Sequence, residues 1–191
     1  MTESPQSIFS ADHEKILETI IYIASTEKEP MHYRKIAYLI YFADKTHLEK
    51  YARTITGDDY IAIYQGIVPA HVYVNLLNSK YNVNNPNFHI SYNGIIVDRV
   101  VDLNEFSESD IEILDNTIQV YSKFPLWQLQ EFARDSIWRK IWVEGDKKKV
   151  INVDMLDVIQ SVDDENSLLN YLTRDTDDLL DEYVISDSKI Y

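Results

Sequence analysis

The chain contains no cysteine, and only four glycines and five prolines among its 191 residues. The lack of cysteine excludes disulfides, thiolate nucleophiles and thiolate metal ligands, and fits a reducing compartment. The spacing of Gly57 and Gly66 fits neither a P-loop nor a dinucleotide fingerprint. No Gly-x-Ser-x-Gly nucleophile elbow is present. No apolar run is long enough to span a bilayer, and the start, MTESPQSIFSADHEK, has neither a basic nor an apolar signal region. A soluble, cytoplasmic protein with no membrane partner is expected. Basic residues are also scarce, 18 Lys and Arg against 32 Asp and Glu, for a net charge of −14. Such a surface repels phosphates unless a basic patch is segregated on it. The clusters Arg139-Lys140 and Lys147-Lys148-Lys149 are too small for that, so direct nucleic-acid binding is not expected. An acidic surface suits a basic protein partner instead.

What is present is enough apolar content, 45%, to bury a core. The fold class expected is mainly α with a small antiparallel β element. Residues 1–10 read as a loose start, 11–149 as the domain, and 150–191 as an acidic, helical extension. Helical spacing of Ile16, Leu17, Ile20, Ile21 and Ala24 predicts a helix over 11–28. A second is expected from Pro30 to Tyr51, with Ile36, Leu39, Ile40 and Ala43 on one face. Residues 60–64 alternate and read as a strand, with Tyr60, Ala62 and Tyr64 on one side. Gly66 is expected to allow a bend and Pro69 to open a helix running to residue 80. Residues 82–87 read as a break. Asn93-Gly94 predicts a tight hairpin turn within 88–99, with Phe88, Ile90, Tyr92, Ile95 and Val97 on one face. Ser107 and Asp110 mark a capped helix start, followed by Ile111, Leu114, Ile118 and Tyr121 on one stripe. Pro125 opens a short helix, Trp138 and Trp142 cover the core, and 152–162 and 165–173 read as helical. Residues 162–191 hold nine acids and two basic residues, a net of −7, with Leu168, Leu169, Leu172, Leu179 and Leu180 among them. Those apolar positions suit docking on a partner or on the chain's own body.

The stretch LIYFADKTHLEKYARTITGDDYIAIYQGIVPAHVY, residues 39–73, resembles the signature of the SocA-like, or Panacea, domain. Matching residues include Leu39, Tyr41, Phe42, Ala43, Asp44, His47, Leu48, Tyr51, Arg53, Ile55, Thr56, Gly57, Asp58, Tyr60, Gly66, Val68, Pro69, Val72 and Tyr73. Residues 106–115 resemble the family's capped helix, and 129–138 its short helix ending on a tryptophan. Ala52 stands in place of a glycine, Thr54 and Ile67 in place of prolines, and Arg134 in place of a common histidine. The resemblance implies a helical domain with a small sheet. It also implies an antitoxin of a bacterial or prophage toxin–antitoxin pair, which neutralises a cognate protein toxin by direct binding. An adaptor that delivers a toxin to a cytoplasmic protease, or another interaction scaffold, is the alternative it carries. A metal- or nucleotide-dependent enzyme is a second alternative, which the residues do not favour.

The candidate residues have bland readings beside the sharp ones. Asp44 and His47, three apart on a helix, suit a metal or acid–base pair. Metal sites need three or more converging ligands, however, so a hydrogen-bonded pair joining helix to turn is expected. Arg53 is expected to pair with Asp44 or Asp58 and pin the turn, for about 1.5–3 kcal/mol if sheltered. Tyr41, Tyr60, Tyr64 and Tyr73 are candidates for both core and docking surface. Gly57, Gly66, Pro69, Ser107, Asp110 and Trp138 are expected to be structural. Neither a catalytic residue, a metal nor a cofactor is expected.

Overall fold

The computed structural model describes residues 10–81, 86–142 and 149–162. It is mainly helical with two small antiparallel sheets. No helix among the described residues is long and apolar enough to cross a membrane.

Helix α1 (His13–Thr26) starts where Asp12 accepts hydrogen bonds from the amides of Glu14 and Lys15, at 3.1 and 3.0 Å. It buries Ile16, Ile20, Ile21 and Ile23. Helix α2 (Tyr33–Tyr51) begins three residues after Pro30, with His32 as its cap. Pro30 therefore precedes the helix and does not open it. Residues Ile36 to Asp44 are buried without interruption, so α2 has no outer face there. Helix α1 and the later helices and strands surround it, which is why its apolar residues run continuously and not as one stripe. It ends at Ala52, which takes the left-handed conformation at φ 56° and donates its amide to the Leu48 carbonyl at 2.9 Å.

Strands β1 (Tyr60–Ile63) and β2 (Gly66–Pro69) form a tight hairpin, with Tyr60 opposite Pro69 and Ile63 opposite Gly66. Gly66, at φ +124°, opens a strand here and not a bend. Pro69 ends that strand, and α3 (Ala70–Tyr81) begins one residue later. Tyr64 lies in the connecting turn, and Ile63 is buried along with Tyr60 and Ala62. Strands β3 (Phe88–Ile90) and β4 (Ile95–Val97) pair as expected, Phe88 opposite Val97. The turn differs. Gly94 alone has positive φ, Ser91 and Gly94 exchange backbone hydrogen bonds across it, and Tyr92 at its tip is fully exposed.

A single 3-10 turn (Leu103–Glu105) leads to α4 (Glu108–Tyr121). Ser107 and Asp110 form a complete capping box. The buried stripe of α4 is Asp110, Ile113, Leu114, Thr117 and Ile118, so Ile113 takes the place expected for Ile111. Helices α5 (Leu126–Ala133) and α6 (Ser136–Ile141) follow. Residues Ile151–Val153 are not helical but form β5, which pairs antiparallel with β1 and gives the sheet order β2-β1-β5. Helix α7 (Met155–Val162) then packs on α2 through Met155, Val158 and Ile159. The helix expected over 165–173, and the leucines of 168–180, lie outside the described residues.

Candidate functional site

The signature residues converge where the end of α2, the loop after it and the start of α4 meet. Asp44 is fully buried, and four donors fill both its oxygens. The Ile55 and Thr56 amides reach Oδ1 at 2.8 and 3.2 Å, and the Thr56 and Tyr60 hydroxyls reach Oδ2 at 2.7 and 3.1 Å. Burial pushes its pKa up to about 6, although those hydrogen bonds act in the opposite direction. Burial and the facing Asp44 carboxylate push the Tyr60 hydroxyl well above its ordinary value, so it stays a donor.

His47 does not bond to Asp44. Its Nδ1 lies 2.8 Å from the Arg53 carbonyl, which can only accept, so Nδ1 carries a proton. Its Nε2 lies 3.2 Å from Ser109 Oγ and 3.1 Å from Asp110 Oδ1. Each residue thus ties α2 to the following loop by its own contacts.

Arg53 pairs with neither Asp44 nor Asp58. Its Nη2 donates to Asp110 Oδ1 at 2.9 Å and to the hydroxyls of Ser107 and Ser109 at 3.0 and 3.2 Å. The reason is that Asp44 and Asp58 are already saturated by other donors, whereas Asp110 sits at the start of the helix facing the loop. Lys15 of α1 donates to the other Asp110 oxygen at 2.6 Å, and the Ser107 amide to the same atom at 2.9 Å. Burial alone would raise the Asp110 pKa. Its contacts with His47, Lys15 and the Ser107 amide instead hold it well below the usual carboxylate range. Asp110 therefore joins three elements. The capping pattern marked it in the sequence, but Lys15 and Ser109 carry no local signal of their part in this network.

Asp58 is buried and caps α3. Its carboxylate accepts from the amides of His71 and Val72 at 3.0 and 2.9 Å, and lies 2.7 Å from His71 Nδ1. Gly57 has φ +63°, and a Cβ there would come within 2.3 Å of the Ser10 carbonyl oxygen. The chain crosses so closely because the Asp12 amide bonds the Thr56 carbonyl at 3.2 Å.

A second assembly holds the β1–β2 turn. Arg134 donates twice to the Tyr64 carbonyl, at 3.2 and 3.0 Å, and its guanidinium lies over the Tyr64 and Trp138 rings. Trp138 donates its indole N–H to the Ile63 carbonyl at 2.8 Å and stacks on Trp142. Tyr41 is buried, donates to Asp135 at 2.7 Å, and meets Tyr60 edge to face. Tyr73 is only half-buried, on α3 away from these contacts, so the four tyrosines form no single cluster.

Among the described residues no group of three His, Asp or Glu side chains is placed to hold a metal ion. Chemically, both assemblies consist of hydrogen-bond partners satisfied by one another, an arrangement that fixes backbone positions.

No curated protein and no solved structure matches the chain. The family model described as "Antitoxin SocA-like, Panacea domain" matches residues 38–139, more than half of it. The match runs from within α2 to within α6 and takes in Asp44, Arg53, Asp110 and Trp138, while Lys15, β5 and α7 lie outside it. On that span, this chain belongs to the SocA-like antitoxin family, the Panacea domain.

Proposed function

We propose that this protein is a cytoplasmic, non-catalytic antitoxin that neutralises a cognate protein toxin by stoichiometric binding, covering the toxin's active site or substrate surface. The family match over residues 38–139 carries this reading. The state of the signature side chains supports it. Asp44 and Asp58 have their oxygens occupied by donors of the fold and are closed to solvent, which suits scaffolding better than reaction chemistry. In this reading Asp44, Asp58 and Tyr60 hold a docking face from beneath. The partly exposed Arg53, with Lys50, Tyr51 and Glu112 beside it, forms part of that face.

The test is co-expression with the product of the adjacent open reading frame. Growth is expected to recover from that product's toxicity, and a complex of fixed stoichiometry is expected on pull-down, with the toxin level unchanged. Growth rescue accompanied by protease-dependent loss of the toxin would make the protein an adaptor instead. Neither rescue nor a complex would end the antitoxin reading.

A further inference from the structure

We propose that a cleft between α2, α5 and α7 is the docking site of this chain's own acidic segment, residues 163–191. The inference does not rest on the antitoxin reading. The cleft has a volume of about 480 Å³, and Tyr41, Phe42, Tyr121, Phe132, Ser161 and Val162 are among the residues lining it. That size falls in the roughly 300–1,000 Å³ range of binding pockets, with room for a few side chains.

One wall is aromatic, with Tyr41 and Phe42 buried behind it and Tyr121 half-buried. Phe42 and Tyr121 are 4.8 Å apart between ring centroids, Tyr121 and Phe132 6.1 Å, and Phe132 and Phe124 5.4 Å. Phe132 remains 40% exposed. At the rim, Lys45 is held by Asp135 at 2.8 Å and the exposed Glu49 also lines the cleft, so its polar edge is acidic and only the aromatic part offers contact to apolar side chains.

The occupant follows from where the chain goes. Ser161 and Val162 end α7 and themselves form part of the cleft wall, so residue 163 sets out from the cleft. Leu168, Leu169 and Leu172 come within ten positions of Val162. At about 3.3 Å per residue those positions reach up to roughly 20–35 Å, ample to turn back into the cleft. A tether this short sets an effective concentration on the order of millimolar, so even a weak apolar contact is occupied. A second copy or a separate partner would carry the full cost of association for the same surface. A partner that uses this cleft would have to displace the segment.

The chain has no cysteine, so introduced pairs are its only thiols. In the full chain, Thr46→Cys on the cleft wall is combined in turn with Leu168→Cys, Leu169→Cys and Leu172→Cys. Mild oxidation is followed on non-reducing gels. Tyr92→Cys at the exposed hairpin tip, combined with the same three, is the control. At least one cleft pair is expected to close within the monomer at least tenfold faster than its control, at a rate independent of protein concentration. Equal rates at both sites would overturn the proposal, and so would disulfides formed only between chains. As a second measurement, a spin label on Leu169→Cys in an otherwise unaltered chain is expected to broaden the amide resonances of Lys45 and Phe132. Unbroadened amides there would overturn it even if the Thr46→Cys chains fail to fold.

Discussion

Asp44 is a carboxylate sealed from water with no cation in contact, held only by hydroxyls and amides. Its folded pKa, about 6, lies above the ordinary value of 3.8. Between those values the folded chain binds more protons than the unfolded one, so this residue's contribution is full below about pH 4 and is lost as pH rises through about 6. The shift corresponds to an energy on the order of 3 kcal/mol. Urea unfolding of wild type and Asp44→Asn from pH 4 to pH 7 is expected to show this slope in wild type and its loss in the variant. Asp44→Ala strands two amides and two hydroxyls and is expected to cost about 3 kcal/mol or more at any of these pH values. Asp110 has the opposite sign. Its stabilising contacts are present above its unfolded pKa and weaken as pH falls towards its depressed folded value. Arg53→Ala is expected to cost about 1–2 kcal/mol, because the guanidinium is partly in water. Asp110→Ala is expected to cost about 3–5 kcal/mol, since it leaves the Lys15 ammonium and the Arg53 guanidinium without their carboxylate and removes the His47 Nε2 contact. The same denaturation curves check both. The sequence predicts that Arg53 pins the turn through Asp44 or Asp58, but the partner is Asp110. Asp44 and Asp58 are near it in the chain, and only the arrival of α4 brings Asp110 within reach.

Among the elements, α2 ends on a residue in strained backbone. Ala52 at φ 56° occupies the position where the family pattern has glycine. A Cβ in this left-handed conformation costs roughly 1–2 kcal/mol, and glycine carries no such penalty. Ala52→Gly is therefore expected to stabilise the protein by up to about 1 kcal/mol, net of glycine's greater unfolded-state entropy. A rise of a few degrees in melting temperature on a calorimetric scan would check it. Elements whose ends are marked by local chemistry were legible in the sequence. Ser107 before α4 is such a cap, with its partner three residues on, whereas α1 was legible from its apolar spacing alone and not from its Asp12 cap. The hairpin β3–β4 was legible from Asn93-Gly94, although of that pair only Gly94 takes positive φ. β5 was not, because three residues become a strand only by pairing with β1, distant in sequence. Pro69 looked like a helix opener but closes a strand, since the Tyr60 pairing outweighs its preference for a first helical turn. The buried circumference of α2 had a visible trace in the unbroken apolar run from Ile36 to Ala43, which a one-faced helix would not need.

At the scale of the whole molecule, the net charge of −14 shapes encounter with a partner. If the partner is basic, its association rate is expected to fall about tenfold or more between low and high salt, while dissociation changes little. Replacing the acids of residues 163–191 by their amides removes much of that charge and is expected to flatten the salt dependence. Stopped-flow mixing at several ionic strengths is the measurement. The helix at the centre carries a further consequence, for biosynthesis. α2 is complete when residue 51 has been made, yet part of its cover, α7, is made only by residue 162. Throughout that interval a nascent chain holds an oily rod without its final wrapping, so emerging ribosome products are natural clients for chaperones. A messenger cut short before codon 155 would leave part of α2 uncovered, and its product is expected to aggregate more readily than the full chain.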